Sequence, residues 1–294
     1  MFLELLRIEL FKIFKRPRTF IAFGAIAMII LLVQFALMVN GKDFIQLFTG
    51  DQADTFEIPS DKILNGYFIC VTVLHMILLH VPLLVALIAG DMISGEANLG
   101  TLRLLVGKPV TRTQLIMAKF SASTAYVLLL LAWMALFALL GSILLFGRED
   151  LVVFKENDMH IIKNTDVLWR FFAAFVFAAL ALTAIGAMAL MFSTFAENSL
   201  GPIVATVCVV IVFTIVQQLK VPVFEETINP WSFTTHMLGW KGFFYVEKTA
   251  EGTTINGSIE NPAALVRSGL ILIGYIVLFL LISARYFKRK DILS

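Results

Sequence analysis

His75 and His80 are the side chains best suited to proton or metal chemistry in the apolar parts of this 294-residue sequence. Imidazole exchanges protons near neutral pH and is a common metal ligand. Five residues apart, however, the two rings point about 140° away from each other on an ideal helix, so they do not converge on one ligand. No H-E-x-x-H pair accompanies them. Hydrogen bonding or pore lining is the expected role, with a membrane enzyme centred on these histidines as the alternative. The two cysteines, Cys70 and Cys208, fall in apolar runs and read as small buried hydrophobes rather than disulfide partners or thiolate ligands. A G-x-x-x-x-G-K-[ST] phosphate loop is absent, because Gly41-Lys42 and Gly107-Lys108 lack the upstream glycine.

The elements that carry these residues follow from composition. Hydrophobic residues make up 59% of the chain and charged residues 15%, with a mean hydropathy of +0.89. A water-soluble domain of this size could not hide that much apolar surface. A helix needs about 20 residues to cross the hydrocarbon core, and six stretches free of Asp, Glu, Lys and Arg meet or approach that length. Spanning segments must satisfy their own backbone hydrogen bonds, which favours helices, and the alternation of an outer-membrane barrel is absent. The expected fold is an all-α membrane protein, one transmembrane domain with spans at 19–40, 64–90, 119–147, 169–195, 199–219 and 265–285. Their interiors hold no Asp, Glu, Lys or Arg. That argues against a proton- or ion-driven carrier, which needs buried carboxylates.

Orientation is read from the basic residues. With the amino terminus in the cytoplasm, inside segments hold 13 of the 23 Lys and Arg against 6 acidic residues. Outside segments hold 10 basic and 15 acidic residues, as the positive-inside rule expects. Residues 1–17 read as an amphipathic interfacial helix. Leu3, Leu6, Leu10, Ile13 and Phe14 form the apolar stripe, while Glu4, Arg7, Lys12 and Lys15 share the other side, whose basic residues would meet anionic headgroups. Pro17 breaks it before the first span. Residues 41–62 and 148–166 are short, acid-rich external segments. The long segment 220–264 carries Trp231, Phe233, Trp240, Phe243, Phe244 and Tyr245, aromatics expected at the membrane interface. Gln34, Thr72, Thr183, Thr206, Thr214, Gln217 and Gln218 are polar positions within or at the ends of spans. They could line a passage for an amphipathic cargo or simply bond across helices.

Residues 91–111 are the most informative connection. Glu96 precedes the run Gly100-Thr101-Leu102-Arg103-Leu104-Leu105, followed by Pro109-Val110-Thr111-Arg112. Leu99, Leu102 and Leu105 could form an apolar stripe on a short helix that Gly107 and Pro109 would end. Thr111 with Gln114 fits a capping box opening the third span.

This pattern resembles the type-2 class of ATP-binding-cassette (ABC) exporter permeases. The resemblance extends to the amphipathic amino-terminal helix, six spans, a long external segment before the last span and a basic tail at 286–294. It implies that Glu96, Gly100, Thr101, Leu102, Arg103 and Leu105 belong to a coupling helix docking into an ATPase subunit. Pro109, Thr111 and Arg112 would set the turn into the third span, and Glu197 and Asn198 would give a secondary ATPase contact. It further implies a separate ABC ATPase in two copies, ATP and magnesium on that partner, and no cofactor on this chain. A second permease copy, as a homodimer, surrounding lipids and a bacterial inner-membrane location complete the expectation, with no nucleic-acid partner. A subunit that transmits force to an external partner is the alternative within the family.

Overall fold

The computed structural model describes residues 2–49, 63–78, 80–102, 110–155, 158–219, 221–249 and 254–290. Helix α1 (Phe2–Lys15) ends at a bend on Arg16, and α2 (Pro17–Thr49) starts with Pro17, whose missing N–H costs nothing at a first helical position. Thr19 is fully buried and donates across the bend to the Ile13 carbonyl at 2.6 Å. The inward face of α1 is Leu5, Glu9 and Ile13, one turn apart each. Leu3, expected on the apolar stripe, is instead exposed, as is Phe11. The helix packs on the third span rather than only on a membrane surface.

Among the described residues, five helices are long and apolar enough to cross a membrane, or six when one bent pair counts as a single span. The bent pair is the second span. Asn65 caps α3 (Gly66–Ile77) by accepting from the Tyr67 and Phe68 amides. Near Leu78 the axis turns by 50° into α4 (Val81–Ala89). Pro82 explains the break: it has no N–H for the Leu78 carbonyl, and its ring crowds that oxygen. The third span, α6 (Arg112–Ala135), passes through a π-helical turn, Leu136–Gly141, into α7 (Ser142–Phe146). Gln34 of α2 donates to the Phe137 carbonyl at 2.8 Å and to Ser142 Oγ at 2.9 Å, satisfying the irregular turn from a neighbouring helix.

A small antiparallel hairpin follows, β1 (Leu151–Lys155) with β2 (Asp158–Ile162), paired from Leu151↔Ile162 to Lys155↔Asp158. The sequence reading had only an acid-rich connection here. Leu151, Val152, Val153 and Ile162 are buried, so the hairpin covers one end of the bundle. The fourth span, α8 (Asn164–Phe195), is the centre of the molecule and packs on α4, α6, the fifth span α9 (Leu200–Gln218) and the sixth span α12 (Pro262–Arg289). In its most apolar stretch 72% of residues are buried, against 17% for α9 and 6% for α12. The bare faces of α9 and α12 are apolar, as surfaces against lipid or another membrane helix must be.

Between α9 and α12 lie α10 (Pro222–Thr227), α11 (Phe233–Met237) and a 3₁₀ helix, Leu238–Phe244. Their aromatics depart from the interfacial expectation. Trp240 and Phe244 are almost wholly buried and Phe233 is buried, while Trp231 remains 68% exposed. The Trp240 ring lies edge-on to His75 at 5.1 Å, and Phe244 packs against Phe171 at 4.9 Å. This segment is folded into the bundle.

Candidate functional site

Several of the charges that bound the apolar runs, among them Arg18, Asp91 and Lys119, converge at one end of the bundle, the basic end. Lys119 lies two turns past the Thr111 cap of α6 and is fully buried. Its Nζ donates to Glu9 Oε2 at 2.9 Å and to the Met92 carbonyl at 2.8 Å, and lies 2.9 Å from Glu96 Oε2. Lys12 Nζ bonds the other oxygens of the same two carboxylates, Glu9 Oε1 at 2.8 Å and Glu96 Oε1 at 2.7 Å. Two ammonium groups and two carboxylates thus close a neutral ring joining α1, α6 and the short helix α5 (Ser94–Asn98). Burial pushes the Glu9 carboxyl up, but Lys119 and Lys12 outweigh it and hold it below its ordinary range. Burial likewise pushes Lys12 down, and its bonds to Glu9 and Glu96 more than reverse this. Such a ring adds little net stability over apolar packing, yet removing one member strands a charge in a dry site.

Beside it, Asp91 receives both Arg16 and Arg18 on Oδ2. Burial raises its carboxyl; hydrogen bonds from Arg18 and Ser199 and the charge of the two arginines lower it further than that. Gly95 is required here, because a Cβ at that position would collide with the Asp91 carboxylate.

The helix α5 has no side-chain cap of its own. A hydroxyl from another span does that work: Ser193 Oγ of α8 accepts from the Ile93 amide at 3.1 Å and the Ser94 amide at 2.9 Å, then donates to Ser94 Oγ at 3.1 Å. Past α5, Gly100 takes φ +69°, a left-handed position that ends the helix, and Thr101 Oγ1 donates to the Glu96 carbonyl at 3.3 Å. Leu102 is buried and Leu99 exposed, so the two do not share the face expected of them. Arg103, Leu105 and Pro109 lie outside the described residues.

The remaining expected residues collect at the same end. Thr111 and Gln114 form the reciprocal capping box. Arg112 donates to the carbonyls of Phe287, Lys288 and Lys290 at 2.8, 3.1 and 2.6 Å, with its guanidinium 5.9 Å from the Phe287 ring centre, and so ties the end of α12 to the start of α6. Lys290 donates to the Thr194 carbonyl at 3.0 Å, closing the contact back to α8. Glu197 and Asn198 are exposed, and Asn198 Oδ1 accepts from the Gly201 amide at the start of α9. Of the expected coupling residues, Gly100 and Thr101 face outward with Leu99, whereas Glu96 is turned inward and 5% exposed. Glu96 therefore holds the segment in place and offers no charge to a docking surface.

Sequence reasoning missed Glu9, Asp91, Lys119, Arg170 and Ser193. The signal for Lys119 was present: a cap at Thr111 places residue 119 two turns inside the helix, not at its edge. Several polar positions taken as passage candidates are satisfied within their own helix. Thr72, Thr206 and Thr214 bond the carbonyls of Phe68, Pro202 and Val210. Thr214 and Gln217 also border a mainly apolar cavity at the break in the second span, with Leu78, Pro82, Ala178 and Trp240. His75 and His80 lie on either side of that break; His75 Nδ1 bonds the Val71 carbonyl within α3, and His80 Nδ1 reaches back across the break to the Met76 carbonyl.

No curated protein matches this sequence. The family model described as "ABC-2 family transporter protein" matches residues 6–292. With five to six apolar helices and that match along almost its whole length, the chain is a multi-pass membrane protein belonging to the ABC-2 transporter family.

Proposed function

We propose that the chain is the permease subunit of an ATP-driven exporter, moved by a separate ATPase that docks at the basic end. The observation that carries this is the mounting of residues 91–102. They are clamped to α1 and α6 by the Lys12–Glu9–Lys119–Glu96 ring and to α8 by Ser193, and still present Leu99, Gly100 and Thr101 outward. A segment held this way cannot be displaced without moving three helices of the bundle. The positive-inside charge balance supports a cytoplasmic basic end with both termini inside. On this reading ATP and magnesium are bound by two ATPase subunits, two permease copies form a homodimer in the bacterial inner membrane, and the bare faces of α9 and α12 meet lipid or that second copy. An amphipathic, lipid-associated cargo suits the mainly apolar cavity between Leu78, Pro82 and Trp240.

A force-transmitting subunit is the second reading, favoured by one observation: the end opposite the basic end is built up by the hairpin and by residues 233–244, which pack on α8. The test of the first is purification of the tagged chain in mild detergent. A stoichiometric partner with a phosphate loop and ATPase activity, lost on Arg103→Glu, is the expected result. A solitary chain without ATPase activity contradicts it. Cargo uptake into inverted vesicles separates the export reading from the force-transmitting one.

A further inference from the structure

The element that carries movement from the basic end to the hairpin end is identifiable from how the spans are built. Four spans of the bundle hold residues 91–102 directly: the second by chain continuity through α4, α2 through Arg18 on Asp91, α6 through Lys119 and α8 through Ser193. The α3–α4 span is bent by 50° at its midpoint and the α6–α7 span is interrupted by the π turn at Leu136–Gly141. The α2 helix leaves helical geometry at Asn40, so of these four only α8 runs as an unbroken α-helix from end to end, 32 residues long. At 1.5 Å per residue the distance from Asp166 to Ser193 is about 40 Å, and its buried surroundings leave it little room to bend.

Its far end is fastened as firmly as its near one. The Arg170 guanidinium is fully buried and donates to the Phe243 carbonyl at 2.8 Å and the Ser258 carbonyl at 2.7 Å. Asp166 bonds the same guanidinium at 2.7 Å and accepts from the Gly257 amide at 2.9 Å. All three partners are backbone atoms of the segment between α9 and α12. Gly239 meets the Phe177 ring so closely that a Cβ there would sit 2.7 Å from it. The same 3₁₀ helix carries Leu238 and Trp240, which form one wall of the cavity bordered by Pro82 and Thr214.

We propose that α8 is the strut of the transporter, with Ser193 at one end and the Asp166–Arg170 pair at the other as positioning residues. A tilt of α8 set by residues 91–102 shifts Leu238–Phe244 and opens or closes the cavity beneath Trp240. The inference rests on the permease reading, and its test keeps the two apart.

The complex of permease and ATPase is reconstituted in nanodiscs, with Cys208→Ser to remove the exposed thiol and Trp231→Cys as reporter on the segment between α9 and α12. The rate of labelling by a membrane-impermeant maleimide is measured with and without ATP and magnesium. In this reference complex ATP changes the rate about fivefold or more, the lower range of ordinary coupling between sites. Arg170→Met, far from the docking face, hydrolyses ATP at the reference rate but loses that change; Ser193→Ala loses it while still binding the ATPase, and Ser193→Thr, which restores a hydroxyl, regains it. Should Arg170→Met fail to fold, it loses its ATPase partner, and Ser193→Ala with its Thr rescue carries the test. An unaltered ATP response in Ser193→Ala overturns the strut, as does a reference complex that hydrolyses ATP with no change at position 231. A chain that binds no ATPase fails the permease reading first and takes the strut with it.

Discussion

The basic end and the hairpin end of the bundle are both tied by buried charges, but by different kinds of bond. In the ring at the basic end, Lys12, Lys119, Glu9 and Glu96 bond one another mainly side chain to side chain across three helices, with the Met92 carbonyl as a backbone acceptor and Arg112 alongside bonding backbone only. At the hairpin end, Arg170 spends its donors on one neighbouring carboxylate and two backbone carbonyls. In the ring each carboxylate has two ammonium partners, so the loss of one leaves the other in place. Backbone acceptors are fixed in place, so the segment they belong to must travel with Arg170. The difference suits an input face that shares its hold among three helices and an output face that has to follow one.

The comparison can be broken most severely at Lys119. Lys119→Met leaves the buried Glu9 and Glu96 carboxylates with Lys12 as their one shared ammonium, a loss of about 3–5 kcal/mol, read as a fall in thermal stability of the purified protein. Adding Glu9→Gln to that variant should recover part of the loss, since side-chain partners can be removed in pairs. Arg170→Met comes next, at about 2–4 kcal/mol, because charged hydrogen bonds to the Phe243 and Ser258 carbonyls disappear together. Here Asp166→Asn should give no rescue, since the backbone partners remain unpaired; a rescue equal to that at the basic end would erase the distinction between the two. Smaller is the response to acid. With the Glu9 carboxyl held below its ordinary 4.5, its stabilisation is complete above that pH and is lost as pH falls through the lower folded value. A pH titration of thermal stability should show this loss in the native chain and less of it in Glu9→Gln. Smallest is Thr111→Ala, which removes the exposed cap of α6 for about 1 kcal/mol and should leave both charged clusters intact.

Much of this architecture was legible from the chain alone. Charge-free stretches located the spans because a helix in lipid cannot carry unpaired ions, and Pro17 and the Thr111–Gln114 box located two helix starts through local chemistry. The rest depended on distance in sequence. Glu9 and Lys119 are 110 residues apart, and no local pattern says that they meet. Lys119 and Arg170 were read as the edges of spans, whereas both lie inside their helices and are fully buried. A charge that ends an apolar run marks either the water boundary or a buried partner, and a single sequence does not separate the two. The hairpin was hidden because its residues are apolar at successive positions, Leu151, Val152 and Val153, without the alternation of a half-exposed strand. The stripe through Leu99 and Leu102 failed for a local reason: Gly100 leaves the right-handed region between them and turns their side chains apart.

The central claim is that an ATPase meets this chain at residues 99–101 of the basic end. A photo-crosslinking amino acid placed at Leu99, 68% exposed, tests it directly against the same probe at Trp231, equally exposed on the segment between α9 and α12. The account predicts a crosslink from position 99 to an ATP-binding polypeptide and none from position 231. A folded, membrane-inserted chain that crosslinks to no such partner from position 99, or to the same one from position 231, would contradict it.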